Sequence, residues 1–210
     1  MLRLPVKKSP IWLPIRLILG LILAAACTDA PETGDASLET VAATDPQLVF
    51  WASLESLCGQ AFEGRVVENQ PPNDAFEGQA LIMHVRGCQT GEIRVPFHVG
   101  EDRSRTWVIT STAAGIRLKH DHRHEDGTED EVTQYGGDTR GRGSDSVQDF
   151  HADGFTAELV PGAATNVWTI EIQPDRLFAY ALRREGTDRR FRVEFDLREP
   201  IDAPPPPWGR

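Results

Sequence analysis

The chain has no apolar run long enough to cross a bilayer. The stretch Leu17 to Ala26 has ten residues, whereas a transmembrane helix needs about 20. Cysteine is scarce: there are three in 210 residues, with no Cys-x-x-Cys pair, so a dithiol redox motif of that spacing is excluded. Basic residues are outnumbered, 22 Lys and Arg against 32 Asp and Glu, for a net charge of −10. That balance argues against nucleic acid, whose phosphates select Lys/Arg patches. Ser104, Ser111 and Ser144 lie outside any Gly-x-Ser-x-Gly context, which removes the nucleophile elbow. Strands do not alternate with helices along the chain, so a parallel sheet is not expected, and no internal repeat is visible.

What is present begins at the N-terminus. Arg3, Lys7, Lys8 and Arg16 precede the short apolar run, and Ala24, Ala25 and Ala26 lead into Cys27. A basic n-region, a ten-residue h-region and small residues before the cleavage point fit a secretory signal peptide over 1–26. The last part resembles the lipobox of bacterial lipoproteins. That resemblance implies cleavage before Cys27 and acylation of its new N-terminus, with palmitate among the expected modifications. The lipid bilayer would then be a partner through the acyl chains rather than through surface charge. Cleavage would leave 184 residues with 22 − 4 = 18 basic and 32 acidic side chains, a net charge of −14. Thr28 follows Cys27 and the aspartate comes one position later, at Asp29. By the same resemblance, the mature protein sorts to the periplasmic face of the outer membrane.

Cysteine bookkeeping follows from export. With Cys27 carrying lipid, Cys58 and Cys88 remain, an even number, and in an oxidising periplasm they are expected to pair. The alternative is two buried free thiols. A bridge across 30 residues would stabilise the fold by about 3.6 kcal/mol by chain-entropy reasoning.

Residues 27–45 are rich in Ala, Thr, Asp and Glu and read as a flexible tether. Asp45-Pro46 then looks like a helix start, with Asp as N-cap and Pro at the first helical position. Leu48, Trp51, Leu54 and Leu57 recur at helical spacing before Gly59, which predicts one short helix over about 47–58. Beyond it the period changes to two. Nine strands are expected, at 60–68, 80–86, 92–99, 105–112, 115–124, 129–135, 165–173, 177–184 and 189–197. Phe191, Val193, Phe195 and Leu197 alternate with Arg190, Arg192, Glu194 and Asp196. Phe62, Phe97, Trp107 and Trp168 fall on the same kind of inward face as Phe191 and Phe195. Gly136 to Asp149 reads as a long mobile loop. Residues 203–210 form a Pro-rich tail, read as a stiff C-terminal strap. The expected fold is all-β with one short N-terminal helix. Within that class, an antiparallel up-and-down β-barrel or curled sandwich over 46–202 is expected.

The densest chemistry lies at His120, His122 and His124, three of six histidines spaced at i, i+2 and i+4. In a strand they share one face. A two-residue turn at Asp126-Gly127 would place His124 opposite Glu129, His122 opposite Glu131 and His120 opposite Thr133. Zinc accepts such His/carboxylate sets. His120 and His124 would stand about 13 Å apart at Cα at about 3.3 Å per residue. One ion would therefore take His122 with either His120 or His124, plus Glu131. The competing reading is a solvated hairpin tip. His84 and His98, in separate strands, read as surface or rim residues. Arg183, Arg184, Arg189 and Arg190 cluster around the Glu185-Gly186 turn. They read as a solvated hairpin end balanced by Glu185 and Asp188, with an anionic partner as the alternative.

Three stretches carry a wider resemblance, covering about 50–208. They are Leu57-Cys58-Gly59-Gln60-Ala61-Phe62-Glu63-Gly64, Pro96-Phe97-His98-Val99-Gly100-Glu101-Asp102-Arg103-Ser104-Arg105-Thr106-Trp107, and Leu118-Lys119-His120-Asp121-His122-Arg123-His124. Through them the chain resembles a family of uncharacterised Gram-negative envelope lipoproteins. The layout, with a helix before the first strand, is similar to lipocalin barrels, although the Gly-x-Trp motif is missing. The resemblance implies architecture and carries no functional residue across. The expected role is non-catalytic binding of a small ligand or envelope partner. Metal binding through the histidine hairpin and a structural envelope role are the alternatives.

Overall fold

The computed structural model describes residues 44–72, 74–76 and 78–209. The signal peptide, Cys27 and the tether up to residue 43 lie outside the described residues. Helix α1, Pro46–Glu55, starts as its residues dictate: the Asp45 carboxylate accepts from the Gln47 amide at 3.1 Å, with Pro46 at the first helical position. It ends at Glu55, short of the expected 58. Phe50 and Leu54 on its inner face are fully buried.

Eleven strands follow. They are β1 (Ala61–Gln70), β2 (Leu81–His84), β3 (Gly87–Gln89), β4 (Glu92–Val99), β5 (Asp102–Thr112), β6 (Gly115–His122), β7 (Tyr135–Thr139), β8 (Val147–Ala152), β9 (Asn166–Gln173), β10 (Leu177–Arg184) and β11 (Arg190–Ile201). All pairings are antiparallel. β1 pairs with β11, and β2 pairs with both β1 and β4. Ten strands therefore close a ring, while β3 hangs on β4 alone. Closure leaves the ring without free edges, the usual hazard of long antiparallel sheets.

Period-two alternation places the core inside. On β10 and β11, Phe178 faces Phe195, Tyr180 faces Val193 and Leu182 faces Phe191. Trp168, Ile170 and Ile172 continue that layer on β9. Each such side chain removed from water contributes about 1.5–3 kcal/mol. Helix α1 packs against β8 and β9, and its Gln47 amide donates to Thr139 Oγ1 and the Gly141 carbonyl. It thereby covers the barrel end formed by the β5–β6 and β7–β8 turns. Cys58 and Cys88 form a disulfide with a Cα separation of 6.2 Å, tying the turn after α1 to β3.

The structure departs from the sequence reading in three places. First, residues 129–135 do not form a strand; only Arg123 and Glu129 make an isolated bridge. The turn holds three residues rather than two, because the His124 amide donates to the Thr128 carbonyl. That puts Thr128 and Asp130 opposite His124 and His122, while the irregular residues before β7 bring Tyr135 opposite His120. Second, both ends of the expected mobile loop, 136–139 and 147–149, belong to strands β7 and β8. Gly136 and Gly137 make this possible: a Cβ on Gly136 would strike the Leu118 carbonyl, and one on Gly137 the His151 carbonyl. The flanking strands approach closely only because both are absent. Third, a short helix α2, Gly154–Leu159, follows β8. Asp153 caps it and also pairs with Lys119 at 2.5 Å.

The Pro-rich tail lies along the outer wall. The Trp208 amide donates to the Arg103 carbonyl at 3.1 Å, and Arg103 returns a bond to the Pro206 carbonyl at 3.0 Å. Among the described residues no helix is long and apolar enough to cross a membrane.

Candidate functional site: the open mouth of the barrel

The end opposite α1 holds a cavity of about 500 Å³, within the usual range for small-ligand sites. Inward positions on successive strands line it. Phe97 (β4), Trp107 (β5) and Tyr180 (β10) form a stack, with centroid separations of 4.9 Å and 4.4 Å and interplanar angles of 16° and 14°. Tyr135 and Trp168 make the facing wall, 5.9 Å apart. Phe76, from a 3-10 turn between β1 and β2, sits at the lip 4.8 Å from Phe191.

The histidines divide between the cavity and the tip. His120 is buried beside the aromatic walls, its ring stacked on that of Tyr135 at 4.5 Å and nearly parallel to it. Its Nδ1 lies 3.1 Å from the Tyr135 carbonyl, which can only accept, so Nδ1 carries the proton. Nε2 then accepts from the Tyr180 hydroxyl at 2.7 Å. Burial pushes the His120 pKa down to about 3 and raises that of Tyr180. Burial also lifts Tyr135 to about 12. His122 is half-buried, its pKa lowered mainly by burial and then by the charge of Arg105. Its Nε2 lies 3.2 Å from the Tyr135 hydroxyl. The polar groups deep in the cavity are therefore uncharged at neutral pH.

His124 is exposed at the tip. With Asp130 and Glu131 it offers three ligand atoms within 4.8 Å of one another. Of the expected metal set, then, the structure brings together His124 and Glu131 and adds Asp130. His122 points into the cavity, and both ring nitrogens of His120 are engaged elsewhere. The shifted turn is the cause, since it moves Glu131 off the ladder. His98 is buried rather than at the surface, with Nε2 lacking a hydrogen-bond partner and its pKa lowered to about 4 by burial.

Sequence reasoning passed over several cavity residues. Tyr180 and Leu182 share the inward parity of β10, so alternation could have found them; Arg184 and Arg189 were singled out as part of the arginine cluster but not placed in a cavity. Phe76, Val160 and Ala163 come from turns and carry no periodic signal.

The chain matches no protein-family model, no curated protein and no solved structure.

Proposed function

We propose that this protein binds a small, largely apolar molecule in its barrel mouth, without catalysing a reaction on it. The supporting observation is the cavity of about 500 Å³ walled by Phe97, Trp107, Tyr135, Trp168 and Tyr180. Barrels of this size either fill their interior with side chains or keep room for one ligand. Here Ile109, Leu118, Ile170, Phe178 and Phe195 are wholly buried, while the mouth stays open. In keeping with the N-terminal lipobox-like segment, the domain hangs from the periplasmic face of the outer membrane through acylated Cys27.

The test is a titration with N-phenyl-1-naphthylamine, an uncharged aromatic probe that brightens when it leaves water. The expected result is saturable binding that quenches tryptophan emission. Val160→Trp, which fills the half-buried mouth, should abolish it while thermal stability is retained. No saturable binding, or binding indifferent to Val160→Trp, overturns the proposal.

A second reading rests on the His124, Asp130 and Glu131 cluster. Its ligand atoms have the types and proximity that zinc accepts. It places a divalent cation at the hairpin tip, on the rim of the cavity that Asp130 also lines.

A further inference from the structure

The four arginines around the Glu185-Gly186 turn look equivalent in sequence but part company in the fold. Arg183 points outward and pairs with Asp149 at 2.9 Å. Arg190 donates to the Thr187 and Arg189 carbonyls of its own turn. Arg184 and Arg189 have inward parity and line the cavity. They lie side by side, since the Arg184 amide donates to the Arg189 carbonyl at 3.1 Å.

Among the described residues, these two guanidinium groups have only neutral partners. Arg184 donates to Asn166 Oδ1 at 2.8 Å, and Arg189 reaches the Gln70 carbonyl at 3.4 Å. Among the described residues no carboxylate pairs with either. This is unlike the outer wall, where Arg94 pairs with Asp121, Arg117 with Asp138 and Arg192 with Glu171. It is also unexpected in a chain carrying ten more acidic than basic residues. Across the mouth, Arg105 is already held by Asp102 at 2.5 Å. Asp130 lines the same cavity but pairs with neither, so positive charge without a paired carboxylate gathers at the Arg184–Arg189 edge of an aromatic cavity. There a guanidinium binds carboxylate or sulfonate in a planar, two-pronged fashion.

The geometry points to the ligand class: a small aromatic organic anion, its ring between the Trp107 and Trp168 walls and its acidic group toward Arg184 and Arg189. This rests on the pocket reading above and adds to it the charge of the occupant. The aromatic walls accept a flat ring by offset or edge contact. The neutral deep end, made by His120 and Tyr180, gives the charge no competing seat, so it remains at the mouth.

Two probes with one scaffold test this. 8-Anilino-1-naphthalenesulfonate carries a sulfonate, and N-phenyl-1-naphthylamine is the same body without it. The sulfonate probe should bind about 10-fold or more tightly than the neutral one at low salt, the value of one charged hydrogen bond. The preference should shrink as salt rises. It should vanish in Arg184→Gln/Arg189→Gln, where neutral-probe binding persists, and return in Arg184→Lys/Arg189→Lys. Equal affinity for the two probes, or a preference untouched by the glutamine pair, overturns the charge assignment and leaves the pocket standing. Failure of both probes to bind overturns both. Should the glutamine variant not fold, salt dependence in the native protein decides: a preference insensitive to salt is the refuting result.

Discussion

The buried His120–Tyr180 pair makes the acid stability of this protein calculable. Burial lowers the folded-state pKa of His120 to about 3, while the unfolded chain keeps a value near 6.5. Between those values the unfolded state holds the proton and the native state does not. Stability from this group is thus complete above about pH 6.5 and is lost progressively as pH falls toward about 3. Linkage over that window gives a loss of about 2–3 kcal/mol between about pH 7 and about pH 4.5. Replacing both partners by rings of the same shape, His120→Phe with Tyr180→Phe, removes the titration and leaves neither side chain unpaired. Urea denaturation of both proteins at the two pH values reads the difference. The native protein should lose about 2–3 kcal/mol more than the double variant. His98, also held down by burial, remains in both and cancels. So do Asp102, Asp149, Asp153 and Glu171, whose lowered pKa values make them lose stability only at still lower pH. Equal acid losses in the two proteins, or a His120 ring that titrates near 6.5 by NMR, would refute the reasoning.

Three further outcomes are expected. Cys58→Ala/Cys88→Ala should lower unfolding free energy by about 3.6 kcal/mol, measured by denaturant titration without reductant; the native protein with reductant should approach the same value. Zinc calorimetry should give heat that disappears in His124→Ala and persists in His120→Ala, and no heat with the native protein would discard the tip as a metal site. In a Gram-negative host, labelled palmitate should enter the native protein and not Cys27→Ala; equal labelling of the two would end the anchoring proposal.

The strands that were legible in sequence share one property: one face is buried and the other solvated. β11 alternates buried and half-exposed positions from Arg190 to Leu197, and β9 does so from Trp168 to Gln173. β7 and β8 were not legible. Their sequence, Tyr-Gly-Gly-Asp-Thr followed by Val-Gln-Asp-Phe-His-Ala, has turn composition, and Gly136 and Gly137 serve close approach rather than turning. The histidine hairpin was half legible. Period two correctly sends His120 and His122 to one face, but the three-residue turn and the irregular residues before β7 set partners that period two does not give.

The sequence alone determined the β class, the capped helix at Asp45, the pairing of Cys58 with Cys88 and the inward aromatic faces. Each follows from spacing along the chain or from the cysteine count with the export expected from the N-terminal segment. Tertiary structure decided which strands close the ring, that the end away from α1 stays open, and which two of four neighbouring arginines face the cavity without a carboxylate. Those properties arise between residues far apart in sequence. They depend on which side chains reach the same volume once the sheet curls shut, and that is not written in any local pattern.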